Sequence, residues 1–383
     1  MIYLDHAATS FPKPPSVIEA QVRCMQESGG NAGRGSHALA MAAAEKIFEC
    51  RTVAADFFGA DSPEEVIFTP NTTAALNIAL KGLLRQGDHV LLSDMEHNAV
   101  FRPICKLANE GRITYDVFPT FPQRKNRTAE EICRAILARI RPNTRLLVCA
   151  HASNICSSVL PLEEIGALCA QKGLLFVVDA AQSAGHIPIN MKKVGIDALC
   201  VPGHKGLLGP QGSGLLLWRK GLIADTLMEG GNGVDSLEGI MTEASPERYE
   251  VGTLPTPAIA GLCEGIRCVE RMGIEAIASH ERALNRYLQE RLLRMRGVRV
   301  YVPNHIGSVL LFNVRGYSAD TVGQLLGDRG ICVRSGYHCS ALGHKTLRTP
   351  NGGAVRVSPG AWNTKDDMDG LLEALSDLLR RGF

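Results

Sequence analysis

Four stretches carry residue types whose placement gives them chemistry. PGHKGLLGPQGSG (202–214) sets Lys205 just after an apolar, strand-like run, among His, Gly, Leu and Pro. An amine so placed is partly desolvated. Desolvation lowers its pKa and makes it available as a Schiff-base nucleophile, although a surface lysine is the ordinary reading of any single Lys. VVDAAQSAGH (177–186) ends a strongly apolar run on Asp179. An unpaired carboxylate there is costly, so it calls for a cation such as a protonated ring nitrogen; capping a loop or helix is its commonplace role. PNTTAALN (70–77) puts Thr72 and Thr73 at a helix start, where backbone N–H groups and hydroxyls suit a phosphate. RSGYHCSAL (334–342) sets Cys339 in a polar, Gly-containing loop that reads as mobile. Cys149, Cys169 and Cys200 lie in apolar runs, and Cys263 and Cys268 share one helix, so those five read as packing. Cys339 is open to three readings: a reactive thiol, a metal ligand, or a small residue in a turn.

The elements that must hold these residues alternate from about residue 60 onward. Strand-like runs EVIFT (65–69), HVLLSD (89–94), ITYDVF (113–118), TRLLVCAHAS (144–153) and GLLFVVDAAQ (173–182) are separated by helix-like segments, the first closed by Gly87. Short runs rich in Val, Leu and Ile between helices predict parallel strands covered on both faces. DALCVPGHKG (197–206) and GSGLLLW (212–218) have little helix between them, which predicts one antiparallel strand. Residues 221–252 read as a surface excursion, followed by a pair of helices to about 296. VRVYVP (298–303), SVLLFNV, a helix at 318–329, ICVRS, AVRVS and a helix at 364–381 then form an α+β unit. The fold class is α/β, with a large domain over 16–255 and a smaller one built from 1–15 and 256–383. In open α/β sheets ligands gather beyond the carboxyl ends of the strands, where Asn71, Thr72, Thr73, His97, Asn154, Asp179 and Gln182 all fall.

Composition narrows the function class. With 383 residues, 45% hydrophobic content and a net charge of +2, the chain reads as a soluble protein without an electrostatic footprint for nucleic acid or anionic membrane. The N-terminus has no basic-then-apolar signal pattern, and twelve cysteines without one point to a reducing, cytoplasmic setting. No C-x-x-C pair occurs, which argues against a zinc ribbon or thioredoxin-like motif. GNAGRG (30–35) neither follows a strand nor opens a βαβ unit, so a nicotinamide fingerprint is weak. A Schiff-base lysine, a carboxylate for a ring nitrogen and a phosphate cradle, in this order on this sheet, together specify pyridoxal 5'-phosphate.

From YLDHAAT near the start to VRVSPGAWNT near the end, the chain resembles the class V aminotransferase family of fold-type I pyridoxal-phosphate enzymes, and within it the cysteine desulfurase and selenocysteine lyase branch. The resemblance implies a mostly parallel central sheet with helices on both faces and a smaller C-terminal α+β domain. SDMEHNA implies that His97 stacks over the pyridine ring, and HASN that Asn154 lies near substrate and cofactor. DAAQ implies Asp179 on the ring nitrogen and Gln182 on the phenolic oxygen. GHK implies Lys205 as the cofactor lysine with His204 on the phosphate, NTT implies Thr73 and Thr72 as phosphate ligands, and EVGT implies Thr253 as a phosphate ligand for the partner subunit of a homodimer. RSGYHC implies Cys339 as the persulfide-forming cysteine, and VRVS implies Arg356 on the substrate carboxylate, with Arg334 at the base of the loop. A guanidinium suits that bidentate task.

The implied activity converts L-cysteine to L-alanine, leaving a persulfide on Cys339 that passes to a sulfur-accepting partner. His338, Arg334 and the cationic pocket are expected to favour the Cys339 thiolate, and Gly336 to let the loop move. Two departures stand out: Pro202 replaces a frequent Ser or Thr phosphate ligand, and Tyr337 replaces a frequent second loop histidine. A selenocysteine lyase, or a class V transaminase or lyase on another amino acid, would share Lys205 and Asp179; the latter would not need Cys339. A Cys339–His338 hydrolase suffers from the two being adjacent, and a zinc site of His338, Cys339 and His344 lacks a fourth ligand. His6 reads as a turn residue or one approaching the site.

Overall fold

The computed structural model describes all residues except 34, 121–126, 302–306 and 381–383. Seven strands form the central sheet in the order Val66–Thr69, Gly214–Trp218, Ala198–Pro202, Leu175–Asp179, Thr144–Ala150, Asp88–Ser93, Ile113–Phe118. Gly214–Trp218 runs antiparallel to both its neighbours, and every other pairing in the sheet is parallel. The strands are near-continuous apolar runs because both faces are covered. Leu146 and Val148 pack on one face with helices Thr72–Leu83 and Asn98–Asn109, and Leu147 and Cys149 on the other with Ala38–Phe58 and Leu162–Lys172. Cys50, Cys149, Cys169 and Cys263 lie in the second of these cores and Cys200 in the first, as small apolar fillers; burial pushes the Cys149 and Cys200 thiols well up.

A second sheet, four-stranded and antiparallel, runs Arg334–Gly336, Ala354–Val357, Leu310–Val314, Val298–Tyr301. Its core joins helices Ile274–Leu292, Ala319–Gly327 and Lys365–Arg380 through Leu288, Phe312, Val322, Val357 and Leu371. The chain's first residues belong to this side: Ile2–Tyr3 pairs in parallel with Ile331–Cys332, and Asp5 bridges to Ser358. They also reach the central sheet, where the His204 carbonyl accepts hydrogen bonds from Ser10 N, Thr9 Oγ1 and Lys13 Nζ, each at 3.0 Å.

Several expectations need correction. The helix from Thr72 stops at Leu83, and Gly87, at φ +88°, instead turns the chain into the next strand. Cys339 is not in a free loop: helix Ala341–Leu347 starts two residues later and lies against Ile155 and Met95, so closely that a Cβ on Gly343 would meet Ile155 Cδ1 at 2.7 Å. Helices Pro15–Glu27 and Ala38–Phe58 went unread in the sequence. The strand expected over 298–303 is described as Val298–Tyr301, its last residues lying outside the described ones, as does part of GNAGRG. Among the described residues no helix is long and apolar enough to cross a membrane.

Candidate active site

The carboxyl ends of the parallel strands open on a cavity with about 510 Å³ of empty space. Asn71, Thr72, Thr73, His97, Asn154, Asp179, Gln182, Pro202, His204 and Lys205 all line it, so residues drawn from five loops meet at one place. A larger surface groove of about 1050 Å³ lies between helices Pro15–Glu27, Ala38–Phe58 and Thr256–Met272. There the charges pair with one another, Arg267 with Glu49 at 2.7 Å and Lys46 with Glu49 at 3.2 Å.

Lys205 is largely buried, and burial brings its pKa down to about 8; Asp179 pulls it back up, while Arg356 and Arg334 push it lower. Asp179 ends strand Leu175–Asp179 and is 3% exposed. Its Oδ1 accepts from Ala181 N at 2.9 Å, and burial raises its pKa against the opposing pull of that N–H and of Lys205. A carboxylate so dry gains most from a cation placed directly on it.

His97 caps the helix it precedes: Ala99 N donates to His97 Nδ1 at 3.0 Å, which leaves the ring proton on Nε2. Burial, then the charges of Lys205, Arg334 and Arg356, drops its pKa to about 4, so it is a neutral ring at pH 7.

At the other end of the cavity, Asn71 caps helix Thr72–Leu83 through Oδ1 to Ala74 N, 3.0 Å. Two buried polar atoms there have no protein partner, Thr72 Oγ1 and His204 Nδ1. Unpaired buried polar atoms are costly, and these two, beside the first N–H groups of a helix, suit the oxygens of a phosphate ester. The donor set therefore fits pyridoxal 5'-phosphate: a phosphate end at Thr72, Thr73 and His204, a buried carboxylate at Asp179 and a low-pKa amine at Lys205. Pro202, last in its strand, lines the cavity without offering a hydroxyl.

The second sheet delivers the remaining groups. Arg334 and Arg356 are directly opposite on neighbouring antiparallel strands, an arrangement of like charges that costs stability unless anions compensate. Arg356 is 1% exposed; Nη2 donates to Asp5 Oδ1 at 2.7 Å and Nη1 to the Asn154 carbonyl at 3.1 Å, while the buried Nε has no partner. Arg334 Nη2 lies 3.8 Å from Cys339 Sγ. Cys339 is exposed, and its carbonyl accepts from Asn98 N at 2.7 Å, beside His97. Asn154 Nδ2 donates to the His338 carbonyl at 2.7 Å. The thiol is thus tied by backbone to the rim of the Lys205 cavity.

Of three further expected residues, His338 sits differently from the sequence reading, while Gln182 and Thr253 lie where that reading allows. His338 is 2% exposed, its ring nitrogens lie 3.1 Å from Arg334 O and 3.2 Å from His344, and burial takes its pKa to about 3. It is therefore neither a base nor a cation for the thiol, and the zinc reading loses two of its three ligands to that contact. Among the described residues no group of three or more His, Cys, Asp or Glu is arranged to hold a metal. Gln182 lines the cavity while its Nε2 donates to Ala7 O at 2.9 Å. Thr253 is exposed, away from the cavity, with Asn31 Nδ2 donating to its hydroxyl at 3.3 Å.

Three groups went unnoticed in the sequence. Asp5 holds Arg356 across 351 residues, a pairing no local pattern announces. Glu96 is wholly buried; Oε1 accepts from Ala150 N at 2.9 Å and from Ser93 Oγ, and burial pushes its pKa up to about 8. Its signal was present, an acid closing an apolar strand with no cation in reach, but His97 beside it drew the attention. His186 lies 3.0 Å from the buried Glu281 and, with His6, lines a small cavity behind Lys205.

Comparisons with known proteins agree with this geometry. A family model described as Aminotransferase class-V matches residues 2–371. A probable cysteine desulfurase of Methanothermobacter thermautotrophicus is 34% identical over 390 residues, covering 100% of this chain and 95% of that protein. A cysteine desulfurase of Yersinia pestis is 32% identical, covering 98% of this chain and 92% of its own. Among solved structures, an apo cysteine desulfurase from Thermococcus onnurineus matches with a TM-score of 0.91 and 32% identity, covering 100% of this chain and 95% of its own.

Proposed function

The chain belongs to the class-V aminotransferase family, and from that premise we propose that it removes sulfur from L-cysteine, releasing L-alanine and leaving a persulfide on Cys339. The observation that carries the reading is the thiol itself. Cys339 Sγ lies 3.8 Å from Arg334, on a segment whose backbone bonds to Asn98 and Asn154 at the mouth of the cavity holding Lys205. A transaminase on this scaffold has no use for a thiol in that place.

Thr72, Thr73 and His204 would hold the phosphate of pyridoxal 5'-phosphate, Asp179 would face its ring nitrogen and Lys205 would carry it, and the bound group would supply an electron sink that acidifies the substrate Cα–H. Arg356 receives the substrate carboxylate; its Nε–H and the spare hydrogens of its two terminal nitrogens are not spent on Asp5 and Asn154. Lys205 Nζ, with a pKa near 8, takes the Cα proton; two protons then return, one to Cβ, which becomes alanine's methyl carbon, and one to Cα, the second matching the proton that the Cys339 thiol gives up. Asp179 keeps a proton on the ring nitrogen. His97, neutral and fixed with its proton on Nε2, presents a ring face without adding charge.

Cys339 attacks the substrate sulfur as a thiolate. The S–S bond forms as the substrate's Cβ–S bond breaks, with that electron pair leaving on the carbon side; cysteine plus thiol becomes alanine plus persulfide, and no external reductant enters. Arg334 is the cation at hand for the thiolate. An acceptor protein with its own thiol would carry the sulfur onward from the exposed Cys339. The chain works as a homodimer in this reading, each subunit's Thr253 reaching the other's phosphate site.

The test is a pair of measurements on purified protein. Sulfide, released under excess dithiothreitol, and alanine should form in equal amounts from L-cysteine, and borohydride should fix a pyridoxyl group on the peptide containing Lys205. Cys339→Ala should abolish sulfide release while leaving borohydride trapping intact. Full sulfide production by that variant would overturn the role given to Cys339.

A further inference from the structure

Two non-glycine residues in succession, His338 (φ +49°) and Cys339 (φ +53°), hold left-handed backbone conformations at the reactive thiol. A side chain with a Cβ is strained in that region, and such residues persist only where the surroundings over-determine them. Asn154 Nδ2 on the His338 carbonyl and Asn98 N on the Cys339 carbonyl, each at 2.7 Å, hold part of this backbone, and a chain of hydrogen bonds beneath the thiol, with one consistent direction, holds the rest. The Arg334 carbonyl can only accept, so His338 Nε2, 3.1 Å away, carries the ring proton. His338 Nδ1 is then bare and must accept, so His344 Nε2, at 3.2 Å, carries its own proton and donates. His344 Nδ1 is bare in turn and accepts from the Thr349 hydroxyl at 2.9 Å.

Both rings are buried, at 2% and 3% exposure, and stack with an interplanar angle of 10°. Burial drops the two pKa values to about 3 and about 4, so neither ring gains a proton near pH 7 and the direction of the chain does not reverse. The Tyr337 ring meets the edge of His344 at 5.4 Å, and its hydroxyl accepts from Gly352 N at 2.9 Å, closing the loop on itself. His344 is buried and lies outside the lining of the Lys205 cavity; the one proton its ring gives goes to His338.

We propose that His344 is a positioning residue for Cys339: the hydrogen bond from His344 Nε2 to His338 Nδ1, backed by Thr349, holds the His338–Cys339 backbone in the left-handed form that keeps Sγ beside Arg334. The proposal deepens the desulfurase reading and rests on it for its kinetic consequence, though the geometry of the thiol can be measured without turnover. Removing the donor leaves His338 Nδ1 buried and unpaired, and relaxing the backbone to negative φ then relieves both costs while taking Sγ away from the guanidinium.

The experiment compares His344→Leu, His344→Gln and Thr349→Val in the holoenzyme. Two readouts are taken: kcat and KM for L-cysteine, and the rate of Cys339 alkylation by iodoacetamide at pH 7, followed by mass spectrometry. His344→Leu should lower kcat at least tenfold with KM changed less than threefold, since the Arg356 grip is untouched, and should slow Cys339 alkylation at least threefold. His344→Gln can donate from Nε2 and accept at Oε1, so it should recover most of both losses. Thr349→Val, the mildest cut and the check against misfolding, should move both in the same direction by a smaller factor. Unchanged or faster alkylation in folded His344→Leu, or no recovery with His344→Gln, overturns the proposal. Should the wild-type protein release no sulfide at all, the desulfurase reading falls, while the alkylation comparison still decides the role of His344.

Discussion

Lys205 tests whether this cavity sets reactivity by desolvation. An ordinary lysine titrates near 10.4, so at pH 7 roughly one amine in 2,500 is neutral. With its pKa brought down to about 8, about one Lys205 in eleven is neutral at pH 7, a gain of about 200-fold in the nucleophilic form. Protein freed of carbonyl ligands by hydroxylamine, and then trace-labelled with acetic anhydride against free Nα-acetyllysine from pH 6 to 11, reports the midpoint on the Lys205 peptide. The expected midpoint is near 8. Asp179→Asn keeps an acceptor for Ala181 N but removes the charge that pulls Lys205 upward, so the midpoint should fall further. The linkage sign follows from a folded pKa below the unfolded one. Between about 8 and 10.4 the unfolded chain binds more protons, so stability rises with pH through that window; below it the cofactor-free protein bears the whole cost, on the order of 3 kcal/mol. Cofactor-free Lys205→Met should accordingly be more stable than wild type at pH 7 and lose that advantage toward pH 10. A labelling midpoint at 10 or above, or an upward move in Asp179→Asn, refutes the reasoning.

Two further outcomes follow from the same geometry. Arg356→Lys keeps the charge and loses the planar fork, which removes about one charge-assisted hydrogen bond of roughly 1.5–3 kcal/mol; kcat/KM for cysteine should fall about 10- to 150-fold in steady-state assays with the pyridoxal absorbance unchanged, and a fall under threefold contradicts the carboxylate grip. Glu96 has its pKa raised to about 8, so wild-type stability should drop as pH rises from about 4.5 to 8, because the folded state keeps a proton the unfolded chain gives up. Glu96→Gln retains the acceptor for Ala150 N and removes that slope, and its melting temperature should overtake wild type increasingly from pH 5 to pH 8; a gap that narrows with pH counts against a buried neutral acid.

The sheet was legible because its signal is local. Runs such as LFVV and LLVCA are apolar throughout, and only strands covered on both faces tolerate that, so strand positions and the lone antiparallel strand followed from the sequence. The cavity was legible for the same reason, since residues at the ends of such strands converge by topology. What the sequence hid depends on partners far along the chain. Asp5 with Arg356 and His338 with His344 are set by tertiary packing, and a histidine next to a cysteine reads as chemistry until its ring is seen turned into the fold. Helix Ala341–Leu347, just after Cys339, was hidden because its seven-residue ALGHKTL pattern is too short to announce itself. Helix Pro15–Glu27 carries Ile18, Val22 and Met25 at helical spacing on an exposed face, opposite to the burial such a stripe ordinarily signals.

The charges around the cavity also explain why its bases are poised as they are. Lys205, Arg334 and Arg356 are close enough to depress one another or His97, and the carboxylates that answer them are Asp5 and Asp179. Burial first, and then an excess of positive charge, keeps His97 neutral and lowers the Lys205 amine, and that charge selects anionic ligands. Arg356 and Arg334 together are part of what holds the Lys205 pKa near 8. A substrate carboxylate seated on Arg356 cancels part of that field, and the amine then regains basicity. Lys205 is thus the weaker base, more often neutral than an ordinary lysine, before the amino acid arrives and a stronger base once it is bound. The gain comes from a carboxylate that takes no part in bond breaking, so an amine substrate lacking the carboxylate should lose proton abstraction as well as affinity.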